Sequence, residues 1–148
     1  MKKYFLFVLL VVFCKTTNAQ IQMDKYTVGN FTVNLPDYMS KTGGINNAAT
    51  IQYQSVVKDV YGFVILDTKE ELSLVEMNFG SVNEFYEDFI KDFLKDEKKR
   101  KISKPIAQTK GNINFIEVDA SYYDKDAKTE IFYLVGIVET SKAYYKVL

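Results

Sequence analysis

Residues 81–95 read SVNEFYEDFIKDFLK, and this stretch decides the predicted fold. Starting from Val82, seven large apolar side chains recur at i, i+3, i+4, i+7, i+8, i+11 and i+12, so they share one helical face. Ser81 followed by Glu84 is typical of a capping box, which predicts that the helix begins there. Such a helix needs a broad apolar surface to lie on, because tertiary packing supplies most of its stability.

Strand patterns on both sides of this helix provide that surface. Alternating or wholly apolar runs predict strands at 31–35, 49–54, 60–67, 106–109, 113–123, 130–139 and 143–148. The runs 60–67 and 130–139 are apolar on both faces, which predicts interior strands. Thr68 and Glu71 predict a second, short helix from Lys69 to about Glu76. The short connections favour antiparallel pairing, so the predicted class is α+β, an antiparallel sheet with helices packed on its faces.

The first 19 residues predict a signal peptide. Lys2 and Lys3 precede an apolar run of eleven residues, Tyr4 to Cys14, and Thr17-Asn18-Ala19 offers small residues for cleavage. A membrane-spanning helix needs about 20 apolar residues, so no transmembrane segment is expected after cleavage. The prediction is a leader at 1–19, a single domain at 20–148, and export through the Sec route to the periplasm or the medium.

Composition excludes several classes of function. Three of the 19 basic residues and none of the 19 acidic residues lie in the leader, so the remaining chain carries about −3 and is a poor candidate for binding nucleic acid. Histidine is absent and the one cysteine, Cys14, belongs to the leader. A Ser-His-Asp triad, a Cys-His pair and a His/Cys zinc site are therefore excluded. We predict no catalytic, cofactor-binding or metal-binding residues, and no enzyme.

Serine-lysine catalysis is the first mechanism that remains possible without histidine or cysteine. Ser55 to Lys58 matches S-x-x-K, Ser81 to Asn83 matches S-x-N, and 41–43 matches K-T-G. The order of the motifs differs from that of the penicillin-recognising enzymes, and the S-x-x-K lies in a hairpin connection rather than opening a buried helix. We therefore interpret these residues as turns and a helix cap.

Catalysis or cation binding by carboxylates is the second possibility that remains. Glu117 and Asp119 lie two apart on one strand face, which suits either acid-base catalysis in a cleft or, more commonly, a solvated sheet face. Asp124 and Asp126 lie in a loop that lacks the spacing of a calcium-binding loop. A weak carboxylate enzyme, testable by Glu117→Gln, thus stays open as a third hypothesis.

Surface patterns indicate where a partner would bind. The only dense basic run follows the main helix, where it complements the helix dipole or contacts an acidic partner or anionic lipid. Adjacent tyrosines at 122–123 and 144–145 each place one ring outward, which would form an aromatic strip if they line up. The predicted partner surface consists of Tyr123, Tyr144, Tyr145, Lys98, Lys99, Arg100 and Lys101.

The order of these segments resembles the PsbP-like family. The resemblance lies in FTVNLP at 31–36, a loop holding Met39, NNAATIQYQSVVKDVYGFVILDTKEEL at 46–72, the helix at 81–94 and EIFYLVGIVETSKAYYKVL at 130–148. It implies an α/β/α sandwich around an antiparallel sheet, a fold shared with a nuclear-import factor that binds the Ran GTPase. Plant members are extrinsic subunits of photosystem II, so the resemblance implies a binding or assembly role without catalysis, and it supplies no functional residue.

Chains of this family usually continue past the last strand into a further helix. Here the pattern stops within a strand, which predicts either C-terminal truncation or a different cover for the second sheet face, with an unknown protein partner near 144–148. The leading hypothesis is an exported, non-catalytic binding or assembly domain. The alternative is a carrier of a small apolar ligand, held between helix and sheet by Phe85, Phe89 and Tyr133.

Overall fold

The computed structural model describes residues 21–44 and 46–148, so the predicted leader at 1–19 lies outside the described residues. A boundary after Tyr38 divides the chain into two compact units. The first contains an antiparallel hairpin of β1 (Met23–Val28) and β2 (Phe31–Pro36). Gly29 in its turn has φ +53°, a conformation that glycine adopts without steric cost. Strand β2 confirms the prediction, whereas β1 was not predicted because only its second half shows apolar alternation.

The second unit contains an eight-stranded sheet. Its strands are β3 (Ser40–Thr42), β4 (Ile51–Ser55), β5 (Val60–Thr68), β6 (Lys98–Ile102), β7 (Ile106–Lys110), β8 (Ile113–Asp124), β9 (Thr129–Glu139) and β10 (Ala143–Val147). They lie in the order β3-β4-β5-β10-β9-β8, and β6 and β7 both pair with β8 along its outer edge. All pairings are antiparallel, as predicted, and β5 and β9 are interior strands.

Two helices occur among the described residues, and both begin where the sequence predicts. At α1 (Lys69–Leu74), the Thr68 hydroxyl accepts from the Glu71 N–H at 3.1 Å and the Glu71 carboxylate accepts from the Thr68 N–H, which is a capping box. At α2 (Val82–Asp92), the Ser81 hydroxyl accepts from the Glu84 N–H at 3.3 Å. The Glu84 carboxylate instead accepts from the N–H of Gly80 at 2.8 Å.

The predicted end of the main helix is wrong. Helix α2 ends at Asp92 rather than at Lys95, and the basic run is an edge strand, β6, rather than a helix end. Arg100 donates to the carbonyl of Phe93 at 2.8 Å and to that of Ile90, so it satisfies carbonyls that the helix leaves unpaired. The other residues of the basic run pair with the open edge of β8, for example Lys98 with Tyr123 and Lys101 with Ser121. The backbone hydrogen bonds of this pairing outweigh the weak strand propensity of lysine.

The predicted fold class also needs correction. Residues 21–44 and 46–148 are mostly antiparallel sheet, with 53% strand and 13% helix, and do not form an α+β sandwich with helices packed on the sheet faces. Helix α1 has six residues and fully buries none of them, although Leu72 packs against the core, so the buried helical residues of the core come from α2. The α/β/α arrangement implied by the family resemblance is therefore not the fold of this chain. The physical reason is that segments flanking α2 complete the sheet instead of lengthening the helix.

The core of the second unit lies between α2 and three neighbouring strands. Its buried members are Val82, Phe85, Tyr86, Ile116, Val118, Ala120, Val135, Ile137 and Tyr144. We call the side of the sheet that carries Ile116, Val118 and Tyr144 the helix face. Because side chains alternate along a strand, every second residue of β8, β9 and β10 lies on the other side, the opposite face.

Candidate functional site

A groove of about 540 Å³ lies across β6, β8 and β9. It is lined by Lys101, Ile102, Ser103, Asp119, Ala120, Ser121, Phe132, Tyr133 and Leu134. The register explains its shape, since Ser121 lies directly between Lys101 on β6 and Phe132 on β9. A small side chain flanked by two long ones on the same face leaves a depression. We call this feature the β8–β9 groove.

Two large apolar side chains form the wall of the β8–β9 groove on β9. Phe132 is 74% exposed and Leu134 is 61% exposed, whereas Val135 on the helix face is fully buried. They lie two residues apart, so they are neighbours on the opposite face. Adjacent exposed apolar side chains beside a depression are typical of a binding surface, whereas a single one would need no explanation.

Charged groups define the two ends of the β8–β9 groove. Lys101 Nζ lies 2.8 Å from Glu130 Oε1, and the Ser121 hydroxyl donates to the same oxygen at 3.0 Å. These bonds, the one from Lys101 foremost, hold the pKa of Glu130 below its ordinary value, so the pair stays charged. At the other end, the carboxylate of exposed Asp119 has no hydrogen bond or ion pair within the described ranges, although its backbone N–H donates to Ser103 Oγ at 3.0 Å.

The structure brings one predicted tyrosine together with the basic run. Tyr123 lies directly opposite Lys98, and Lys99 Nζ lies 4.8 Å from the centre of the Tyr123 ring. Lys98, Lys99 and Lys101 are exposed, with Lys101 on the rim of the groove, while Arg100 is half-buried against the end of α2. Arg100, which was predicted to belong to the basic partner surface, therefore has a structural role at the end of α2.

The other predicted tyrosines do not join this cluster. Tyr144 is buried on the helix face, where its ring stacks on Phe85 with centroids 4.2 Å apart. Tyr145 lies on the opposite face next to Val138, whereas Tyr123 lies next to Glu130. Eight residues of β9 separate those two positions, roughly 27 Å at about 3.4 Å per residue. The tyrosines therefore do not form one strip.

The remaining motif residues have structural roles. Ser55 is buried and its hydroxyl accepts from the Lys58 N–H at 3.3 Å, which stabilises the β4–β5 turn. Ser81 caps α2, as described above. Asp124 accepts from the N–H groups of Asp126 and Ala127 at 2.8 and 3.0 Å, which organises the β8–β9 turn. Within residues 21–44 and 46–148 no group of three or more His, Cys, Asp or Glu side chains could hold a metal ion.

Each residue of the predicted ligand pocket packs on a neighbouring aromatic ring. Phe85 stacks on Tyr144, Phe89 lies 5.0 Å from Phe93, and Phe93 lies 5.4 Å from Tyr133. All of them belong to the packing between α2 and the sheet. The ligand-carrier hypothesis stays a prediction, and the exposed groove lies on the other side of the sheet.

Sequence reasoning also missed a buried polar cluster on the helix face. Glu139 is 8% exposed, and its carboxylate accepts from Lys69 Nζ at 2.7 Å and from the Asn114 amide at 3.1 Å. The Tyr144 hydroxyl lies 3.3 Å from the same carboxylate. Burial pulls the pKa of Glu139 upward, but the hydrogen bonds from Lys69 and Asn114 bring it below its ordinary value. The signal available in the sequence was Glu139 itself, an acidic residue at the end of a strand whose central residues are apolar.

No described helix is long and apolar enough to cross a membrane. Comparison of the chain with models of protein families finds no match, and comparison with curated proteins finds none either.

Proposed function

We propose that this chain is an exported, non-catalytic binding domain whose β8–β9 groove takes up an extended segment of a partner polypeptide. The segment would present an apolar side chain to Phe132 and Leu134 and a basic group to Asp119. The observation that carries the proposal is the pair of exposed apolar side chains beside the groove. The leader pattern at 1–19 supports export.

The apolar wall is large enough to drive weak binding. Covering the exposed parts of a phenylalanine and a leucine contributes about 2–4 kcal/mol. Association also costs translational and side-chain freedom, so we expect a dissociation constant in roughly the micromolar to millimolar range. Strands β8 and β9 have hydrogen-bonded strands on both sides, so side chains would provide most of the affinity at the apolar wall.

The charges favour a basic segment over an acidic one. Lys101 is neutralised by Glu130, whereas Asp119 offers a carboxylate without an ion pair among the described residues. An incoming Lys or Arg would therefore gain a partner, while an acidic side chain would face Asp119 unpaired.

The residue inventory supports the absence of catalysis. The sequence contains no histidine, and its one cysteine lies in the leader. The serines of the motif-like segments are engaged in a turn and a helix cap. Glu117 and Asp119 are both exposed, as expected of carboxylates on the solvated face of an antiparallel sheet.

The test uses random linear peptides displayed on phage and selected on the protein purified after export. We expect the selected peptides to share an apolar residue near a Lys or Arg. Leu134→Ser and Phe132→Ser should each weaken the best peptide at least about tenfold by fluorescence polarisation. The matched control is Leu74→Ser, because Leu74 is 79% exposed yet lies on α1, away from the groove.

Asp119→Asn tests the charge preference separately. It should weaken a selected basic peptide and reduce the salt dependence of binding, since the peptide loses its ion-pair partner. Equal binding to Leu134→Ser and Leu74→Ser would contradict the proposal. Failure to select any peptide, or selection of acidic peptides, would contradict it as well.

A further inference from the structure

Strand β7 is an open edge of the sheet. It pairs with β8 on one side, and no described strand lies on its other side. All five of its residues are exposed, including Ile106 at 56%. The outward backbone N–H and C=O groups of such a strand are a template for another strand.

The other edges of this sheet carry features that oppose pairing. Strand β6 carries three exposed lysines, has an irregular register between Lys98 and Lys101, and holds Lys99 at φ +55°. Strand β3, at the far edge, has only three residues. Strand β7 has an unbroken register from Ile106 to Lys110. Lysines, bulges and short length are the usual protections of an edge, and the central part of β7 has none of them.

We infer that β7 pairs antiparallel with β7 of a second copy of this chain, about a two-fold axis at Gln108. In that register Gln108 faces its own equivalent, and Ile106 faces Lys110 of the second copy. Opposed residues of antiparallel strands share a face, so the two sheets continue into one with both α2 helices on the same side. No like charges oppose each other along the pair.

Charge complementarity indicates a second copy as the occupant. Glu117 lies directly opposite Ile106 on β8, on the same face. Lys110 of the second copy would lie one strand beyond Ile106, with backbones roughly 10 Å apart across two strand spacings. A lysine and a glutamate side chain together span that distance over Ile106. Glu117 and Lys110 are exposed and form no ion pair in the described part of one copy, so the two-fold axis would create two such pairs at once.

The dimer should be weak. Pairing of five residues per copy buries less surface than a standard stable interface, so we expect a dissociation constant of roughly 10 µM to 1 mM. Sedimentation velocity of the exported protein over that concentration range measures it directly.

Charge reversal provides the decisive variants. Lys110→Glu places two acids near each other at each end of the interface, and Glu117→Lys does the same with bases, so each should weaken dimerisation at least about tenfold. The double variant restores opposite charges and should return to within about threefold of the original. Lys125→Glu, in the exposed β8–β9 turn, makes the same change in net charge away from β7 and should have no effect.

Two further variants separate this edge from the β8–β9 groove. Gln108→Lys places two lysines together at the axis and should abolish the dimer, whereas Gln108→Thr keeps a neutral side chain of good strand propensity and should preserve it. Phe132→Ser should leave the dimer intact. A monomer at all concentrations overturns the inference, as does a double charge swap that fails to restore association, or a dimer lost in Phe132→Ser.

Discussion

Lys69→Met tests the buried polar cluster around Glu139. The substitution keeps most of the aliphatic length of Lys69 but removes the ammonium group 2.7 Å from Glu139 Oε1. Asn114 and Tyr144 still bond to the carboxylate, so Glu139 keeps two partners and loses its only counter-ion among the described residues. We expect a loss of stability that depends on the ionisation of Glu139.

The structure bounds the size of this loss. A hydrogen bond to a charged group contributes about 1.5–3 kcal/mol, and stranding a buried charge costs about 3–5 kcal/mol. The Lys69 side chain is 35% exposed, so water screens part of the interaction, and the two remaining partners reduce the penalty further. We therefore expect Lys69→Met to lower the free energy of unfolding at pH 7 by about 1.5–2.5 kcal/mol.

The pH dependence follows from the direction of the pKa shifts. The pKa of Glu139 is lowered in the folded state, so its contribution is present above the ordinary pKa of 4.5 and is lost as pH falls through the lower folded value. The pKa of Lys69 is raised, chiefly by its hydrogen bond to Glu139, so its contribution is lost only as pH rises above 10.5. The loss of unfolding free energy caused by Lys69→Met should therefore have its full size between about pH 4.5 and pH 10.5, and it should shrink below about pH 4.5.

Urea denaturation followed by far-UV circular dichroism at pH 7 and pH 3.5 measures the deficit, since the chain contains no tryptophan for fluorescence. Glu139→Gln is the companion variant, and the double variant should be less destabilised than the sum of the singles by about 1–2 kcal/mol. A deficit below 0.5 kcal/mol at pH 7, or one that grows in acid, would refute this description of the cluster.

Two other substitutions test the packing on either side of the sheet. Phe85→Ala removes a buried ring that stacks on Tyr144 at 4.2 Å and lies edge-on to Phe79 at 5.2 Å, so thermal unfolding should show a loss of about 3–5 kcal/mol; a loss under 1 kcal/mol would mean that the core is not where we place it. Gly62→Ala puts a Cβ into the space occupied by the Tyr53 ring, so it should cost about 1–3 kcal/mol and shift the Tyr53 resonances in NMR spectra. If the Gly62→Ala protein is as stable as the original and its Tyr53 signals are unmoved, that ring does not lie over the glycine.

Local patterns predicted much of the fold, and their failures have identifiable causes. The cap residues Thr68 and Ser81 marked both helix starts, because a capping hydrogen bond depends only on residues within one turn. The run Lys98–Ile102 was misread because its strand conformation depends on the free edge of β8, about twenty residues further along the chain. The predicted fold class was also wrong, since the run after the main helix joins the sheet as β6 and the short helix α1 fully buries none of its residues.

The candidate site was less predictable than the fold. Tyr144 and Tyr145 looked equivalent in sequence, and only pairing with β5 and β9 places one in the core and the other on the opposite face. Phe132 and Leu134 lie in a strand that was correctly predicted as interior, yet their side chains are exposed. Apolar composition indicates that a strand can be buried on both faces, but which face is covered depends on distant segments.

The sequence by itself determined the features that arise from neighbouring residues: the helix starts, the β4–β5 hairpin, the β7–β10 meander and an inventory without histidine. Only the tertiary structure decided the insertion of β10 between β5 and β9, the conversion of the basic run into β6, and the exposure of the β8–β9 groove. The physical reason is the sequence separation over which each interaction acts. Caps, turns and side-chain alternation act over a few residues, whereas strand order and face coverage depend on contacts between segments far apart in the chain.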